Sequence, residues 1–342
     1  MATINTGNLT LSDWARRLED DKVAAIVPIL LKVNPILQDI PYVEANLPTG
    51  HKTTIRSGLP AVTFRQLYGG VQPSKSRTVQ VTDSIGMLEA YSEVDKALAD
   101  LNGNRDAFLF SEAEAFIEAM SQEMATTFFF GNTNTEPEKF MGLSPRYNDL
   151  SAESGSNIID AGGTGSDNAS IWLITWDKNL THGIFPKGSM AGLLQENLGQ
   201  ETLTDANGGL FEGFRSHFKW DTGLVVRDFR YNVRIANIDT SDLTDDNGVP
   251  SAGADIISSM IRAIHKIPFM EKGNQVFYCN ELVMTFLDLQ TLKQNNMNVS
   301  YKELPGAPGF PQGEGPLVRT MMFRGIPVKK TEALLNTEAQ VT

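Results

Sequence analysis

From Asp106 to about Thr127, apolar residues recur at Leu109, Ala113, Phe116, Met120 and Met124, with spacings of 4, 3, 4 and 4. That period puts them on one face of an α-helix. Phe128, Phe129 and Phe130 extend the apolar run, and Gly131-Asn132 supplies a stop. Over residues 106–127, a rise of 1.5 Å per residue makes the helix more than about 30 Å long, which suits a structural spine. Ahead of it, Thr53-Thr54-Ile55, Ala61-Val62-Thr63-Phe64 and Thr78-Val79-Gln80-Val81-Thr82 are β-rich runs separated by Ser57-Gly58, Gly69-Gly70 and Pro73-Ser74. Residues 46–92 therefore read as a long β loop with too little apolar surface to stand alone. The first 45 residues read as an arm. Leu11, Trp14, Ala15 and Leu18 keep helical spacing beside Ser12 as a candidate N-cap, but Pro28, Pro35 and Pro41 interrupt the chain, so no compact core is expected there and the arm either stays loose or lies extended along another surface.

In the second half, residues 146–170 are rich in Ser, Gly and Asn and predict a loop. Strands are predicted at Ile171–Thr175, Thr181–Phe185, Phe214–Trp220, Val233–Ile238 and Val276–Cys279, and helices at Asp255–His265 and Glu281–Gln294. Asp239 to Asp255 is an acidic turn region. A Pro/Gly-rich loop from Pro305 to Pro316 leads to a last strand at Gly325-Ile326-Pro327-Val328. No repeat of solenoid period is present, and the class is α+β.

Of the 342 residues, 41% are apolar in the broad sense, too many for a disordered chain, and 29 Gly with 16 Pro are too few for a fibrous one. The formal charge of −12 opposes attraction of the whole molecule to nucleic acid or anionic lipid. A single cysteine, Cys279, excludes an intrachain disulfide framework and any multi-cysteine metal site. The longest apolar run near the start, Val23 to Leu31, is nine residues and cannot span a bilayer. Glu19, Asp20 and Asp21 in its flank do not suit a signal peptide, so the expectation is a protein made and used without export. Asn168-Ala-Ser and Asn179-Leu-Thr match the glycosylation pattern but carry no weight without a secretory route.

Candidate chemistry is sparse. Gly162-Gly163-Thr164-Gly165 lacks the Lys-Ser/Thr of a phosphate loop and is flanked by Asp160 and Asp167, so a plain flexible loop is expected. Asp239, Asp242, Asp245 and Asp246 fail the calcium-loop spacing. Cys279 lies in an apolar strand, where cysteine acts as a small hydrophobe, and Met120 and Met124 read as core filling. The histidines His51, His182, His217 and His265 form no metal motif, and no Ser sits in a nucleophile elbow. No residue is assigned to catalysis, cofactor binding or metal binding.

Charge segregation is the clearer signal. Residues 45–82 carry Lys52, Arg56, Arg65, Lys75 and Arg77 with no acid, a charge of +5; residues 106–138 carry Asp106, Glu112, Glu114, Glu118, Glu123, Glu136 and Glu138 with no base, a charge of −7. Two solvated faces are the bland account. A thin basic loop complementary to a rigid acidic helix instead suggests contact between subunits, with Lys52, Arg56, Arg65, Lys75 and Arg77 on one side and Glu112, Glu114, Glu118 and Glu123 on the other.

The order of arm, β loop, spine helix, compact domain and returning strand resembles the tailed-bacteriophage major capsid proteins. The podovirus-type coat proteins are the most similar. The resemblance rests on Phe128-Phe-Phe-Gly-Asn132 before Pro137-Glu-Lys-Phe-Met-Gly-Leu143, on Ser170-Ile-Trp-Leu-Ile-Thr-Trp176, and on Gly183-Ile-Phe-Pro-Lys-Gly-Ser189 with Ala191-Gly192. It also rests on His217-Phe-Lys-Trp-Asp221, Val226-Arg-Asp-Phe-Arg-Tyr231, Arg234-Ile-Ala-Asn-Ile-Asp239 and Phe323-Arg-Gly-Ile-Pro-Val328. The specificity lies in the number and order of these pieces.

The resemblance implies a Hong Kong 97-like fold divided into an arm (1–45), an extended β loop (46–92), a peripheral domain with the spine helix (93–238), an axial domain (239–320) and a return strand (321–342). It implies a non-enzymatic subunit that assembles as pentamers and hexamers into the icosahedral head of a tailed phage, built in the host bacterial cytoplasm. Implied partners are other copies of the chain, a separate scaffolding protein (the arm is short), a portal at one vertex, a decoration or cement protein, and packaged double-stranded DNA contacted weakly. No Lys, Asn and Glu set for covalent cross-linking between subunits is found. The alternatives are a decoration, tail or portal component, which would lack this element order, or a hydrolase, which would need a clustered polar pocket.

Overall fold

A computed structural model of the chain describes residues 34–101, 105–205, 207–241, 243, 255–293, 299–304 and 318–342, together with a short strand pair at 18–19 and 22–23. The chain-order elements begin with α1 (Ile36–Asp39) and β1 (Tyr42–Glu44), then β2 (Gly50–Gly58), β3 (Arg77–Ser84), β4 (Gly86–Asp95) and α2 (Lys96–Ala99). The spine helix follows as α3 (Arg105–Phe130), then β5 (Ile158–Asp160), β6 (Asn168–Trp176), β7 (Thr181–Phe185), β8 (Leu194–Thr204), β9 (Leu210–Val226) and β10 (Asn232–Asp239). The last elements are α4 (Ile256–Lys266), β11 (Asn274–Cys279), α5 (Glu281–Lys293), β12 (Val299–Leu304), β13 (Val318–Phe323) and β14 (Ile326–Lys330).

The organising strand is β6, buried at all nine positions and hydrogen-bonded to β10 on one side and β11 on the other. Successive side chains of a strand point to opposite faces, and the sequence divides accordingly. Trp172, Ile174 and Trp176, with Val276 and Tyr278 from β11, enter the core under α3. Ile171 and Leu173, with Phe277 and Cys279, enter a second core shared with α4 and α5. The strand is thus apolar on both faces because helices cover both. α4 begins at Asp255, whose carboxylate caps it by accepting from Ser258 N–H at 3.1 Å.

The spine helix is longer than the sequence predicts, 26 residues over Arg105–Phe130, or roughly 39 Å. Ala113, Met120, Met124, Phe128 and Phe129 are buried as expected, whereas Phe116 is half-buried and stacks on Phe218 with ring centroids 5.7 Å apart. Phe116→Ala is accordingly expected to destabilise the chain by about 2–3 kcal/mol, below the roughly 3–5 of a fully buried phenylalanine; an unchanged urea midpoint would place Phe116 outside the core. The helix stops at Gly131 through close approach rather than a left-handed turn. A Cβ there would lie 2.5 Å from Phe140 O and 2.6 Å from Thr127 O. Gly131→Ala should cost about 1–3 kcal/mol of unfolding free energy, read from denaturant melts; a wild-type midpoint would refute the steric reading.

Several expectations need correction. Of the two courses open to the arm, its end from residue 34 takes the second and packs on the body: Ile36 and Ile40 are buried under α3, and Asp39 accepts from Tyr278 Oη at 2.6 Å and from Lys329 Nζ at 2.5 Å. Residues 1–17, including the candidate cap Ser12, lie outside the described residues. The run at 61–64 is not a strand, and β4 leaves the loop to pair with β9, burying Val94 and packing Leu88 and Ala90 on the core. Of this loop, residues 50–84 form a two-stranded ribbon separate from the main sheet. The loop at 146–170 contains β5, which pairs in parallel with β10. Its Gly163 is wedged where a Cβ would meet Asn168 Oδ1 at 2.5 Å and Asn237 O at 2.6 Å, so this glycine turn is packed rather than free. Asp242, Asp245 and Asp246 lie outside the described residues.

Candidate assembly surfaces

The ribbon β2–β3 is paired from Gly50↔Ser84 to Gly58↔Arg77, with a bulge after Arg56. Alternation sorts its residues. Lys52, Thr54 and Arg56, with cross-strand partners Thr82, Gln80 and Thr78, share a polar, basic face; Thr53 and Ile55, with Val81 and Val79, share an apolar one. Lys52, Arg56, Arg65, Lys75 and Arg77 are all exposed, and none pairs with a carboxylate among the described residues. The loop closing the ribbon exposes Leu59, Val62, Phe64, Leu67 and Tyr68, with Phe64 and Tyr68 fully open to solvent. So dense an exposed apolar cluster on a two-stranded element is far more than scattered surface hydrophobes.

The acidic residues of α3 do not form one stripe. At 3.6 residues per turn, Glu112 and Glu123 fall on one flank of the buried line Ala113–Met120–Met124, and Glu114 and Glu118 on the other. Glu114 and Glu123 are exposed, while Glu112 and Glu118 are half-buried. Glu118 accepts from Gln122 Nε2 at 2.8 Å. Glu123 is bound by Lys139 at 2.9 Å, and Lys139 also holds Glu136 at 3.1 Å. The first lysine beyond the acidic stretch thus partly compensates it, a contact hidden from a charge count that stopped at residue 138. Among the described residues, no ion pair joins a basic ribbon residue to an acidic residue of the helix.

Beside Glu123 lies a shallow pocket between β4 and α3, walled by Met87, Leu88, Met124 and Phe140 and rimmed by Glu123, Glu138 and Lys139. Sequence reasoning missed it because its wall joins residues from three separated segments. Cys279, by contrast, is buried in β11, and burial pushes its thiol up to about 12. Among the described residues no cluster of His, Cys, Asp or Glu has the makings of a metal site, and no helix is long and apolar enough to cross a membrane.

At the ribbon's root charged groups are buried or half-buried. Asp83 of β3, opposite His51 of β2, accepts from Arg146 Nη2 at 2.8 Å, and that guanidinium also donates to Met141 O and Leu224 O at 3.2 Å. His51 stands edge-on to the fully buried His182 of β7, ring centroids 6.0 Å apart, with Arg227 Nη2 3.3 Å from His51 Nε2.

Comparison with known proteins accounts for this architecture. A chain of bacteriophage Epsilon15, in a structure derived from cryo-EM and modelling, is 38% identical; the match covers 100% of both chains with a TM-score of 0.76. The capsid of bacteriophage JBD30 matches at 9% identity over 88% of this chain and 91% of that one, with a TM-score of 0.47. The capsid of a native GTA particle matches at 10% identity over 67% of this chain and 98% of that one, with a TM-score of 0.45. No curated protein matches. The family model of major capsid protein GP7 matches residues 18–342. On that near-complete family match and the full-length structural match to the Epsilon15 chain, the chain belongs to the major capsid protein GP7 family, with the phage capsid fold expected from its element order.

Proposed function

We propose that the chain builds the icosahedral head of a tailed phage as pentamers and hexamers held together by the ribbon. The observation that carries this reading is the ribbon itself: a 50–84 hairpin whose basic face and apolar tip have no partner among the described residues of its own chain. A surface of that kind is stable only when a neighbour covers it. In this reading the neighbour's complementary surface is the pocket of Met87, Leu88, Met124 and Phe140, which takes an apolar side chain of the tip, with Glu138 and the Lys139-bound Glu123 at its rim. Charge complementarity fixes the orientation of docking more than its strength.

In this reading the arm (1–45), β loop (46–92), peripheral domain (93–238), axial domain (239–320) and return strand (321–342) are the working divisions of the subunit, and its role is structural, not enzymatic. Its partners are further copies, a separate scaffolding protein, a portal at one vertex and a decoration or cement protein. The net charge of −12 leaves packaged DNA weakly held, so the genome can leave. Assembly takes place in the host bacterial cytoplasm. Negative-stain electron microscopy of the purified chain, alone and with its neighbouring genes co-expressed, tests the reading. Closed shells of uniform diameter are the expected result; small monodisperse particles under both conditions would overturn it.

A further inference from the structure

Four elements meet at the root of the ribbon: β2 with His51, β3 with Asp83, β7 with His182, and the segment after β9 with Arg227. The approach is close. A Cβ on Gly50 would lie 2.4 Å from Asp83 O, and one on Gly223 2.5 Å from Ser84 O, so the backbone here leaves no slack. Both ring nitrogens of His51 face donors. Asn46 N–H points at Nδ1 from 3.3 Å, and the Arg227 guanidinium lies 3.3 Å from Nε2. A neutral imidazole can accept only one of them, and an imidazolium neither. Beside it, His182 is fully buried with neither ring nitrogen partnered among the described residues, and Arg227 Nε is likewise unpartnered. The other charges nearby offset this only in part. Asp83 is engaged by Arg146 at 2.8 Å, and Glu44 of β1 accepts from Gly188 N–H instead. Only Asp177, in the turn before β7, adds a remote attraction to a charged His182.

We propose that His51, His182 and Arg227 form an acid-sensitive joint that holds the ribbon to the body while both imidazoles are neutral and releases it when they are protonated. Three positive groups in one cluster, two of them buried, repel one another, and moving β2 and β3 away from β7 rehydrates those two. The ionisation balance agrees with the geometry. Burial, then Arg227 and then His51, push His182 down to about 4; burial and then Arg227 lower His51, with Asp83 opposing. Because the values of the packed state are depressed, the open state binds more protons. Closure is therefore complete above the ordinary histidine value of about 6.5 and is lost as pH falls from there towards about 4. The joint's consequence for shells, a loosened grip on the neighbour, rests on the ribbon's proposed role; the joint itself does not.

The test uses the full-length chain under conditions where it remains a single subunit. Hydrogen–deuterium exchange of residues 46–58 and 77–85, corrected for the intrinsic pH dependence of exchange, is compared at about pH 7 and about pH 5. Root protection should fall about tenfold or more at the lower pH, with β6 and β11 unchanged, and the fall should be absent in a His51→Gln, His182→Phe double variant. An equal fall in the double variant, or no fall in wild type, overturns the joint. Should the double variant not fold, exchange of the histidine C2 hydrogens in wild type decides. Midpoints below the ordinary value for His51 and His182 support the joint. Ordinary midpoints for both refute it. These readouts come from one chain, so they succeed or fail independently of whether shells form.

Discussion

Reversing Arg56, Arg65, Lys75 and Arg77 to Glu will abolish closed shells while leaving the subunit's own melting midpoint unchanged. All four side chains are exposed, and none pairs with a carboxylate among the described residues, so reversal removes nothing that holds the single chain together. Surface substitutions of this kind usually fall within about 0.5 kcal/mol. Between subunits the balance is different. Each reversal changes the local charge by two units, and the ribbon would then approach Glu123 and Glu138 as a like charge. An isolated exposed ion pair contributes only about 0–1 kcal/mol, but a docking contact repeated at every subunit of a shell multiplies that difference. Normal shells from the reversed chain, seen by negative stain beside an unchanged thermal melt, would refute the docking account. High salt should weaken wild-type assembly in the same direction, because the Debye length is only about 10 Å at 0.1 M.

Glu338→Ala is expected to lower the unfolding free energy by about 3–5 kcal/mol. Its carboxylate accepts from Arg234 Nη2 at 2.6 Å and from Ser170 Oγ at 2.5 Å, and both ends of the ion pair are buried. Arg234 also donates to Tyr147 O at 2.7 Å and lies over the Trp172 ring, 5.2 Å from its centroid. Truncating Glu338 leaves a guanidinium in the core without its counter-charge, and the loss of that compensation is the main cost. The contact also tethers the C-terminal tail, because Glu338 N–H donates to Asn168 O at 2.9 Å and Val341 N–H to Asn237 Oδ1 at 2.8 Å. Replacing the pair with Arg234→Met and Glu338→Leu should cost much less than the sum of the single changes. Urea titrations of Glu338→Ala, the two single replacements and the double variant measure this, and a Glu338→Ala loss within about 1 kcal/mol would show that the pair is not the tether.

Elements whose burial repeats with their own period were legible in the sequence. β6, β10 and β11 read as strands because their residues alternate between two cores, and α3 reads as a helix because its buried residues recur every three or four positions. β8 was not legible: Leu194–Thr204 is an almost wholly exposed strand, so it carries no apolar rhythm. The tail from residue 331 onward was not legible either. It buries Ala333, Leu334 and Val341 without any regular element to impose a period.

The candidate surfaces divide in the same way. The basic character of the ribbon and the acidic character of the helix are sums over short stretches, so the sequence alone established them. The family resemblance was legible for the same reason: it rests on local motifs in order. Which residues meet was settled only by the tertiary structure. His51 and His182 are brought edge to edge, Arg234 reaches Glu338 across 104 positions, and Lys139 returns to Glu123. These contacts depend on strand order and register, and pairing across a sheet is set by the collective burial of both faces rather than by any local preference. Local chemistry thus determined what the surfaces are made of, and the packing of the described residues determined where their charges are compensated and where they stay exposed.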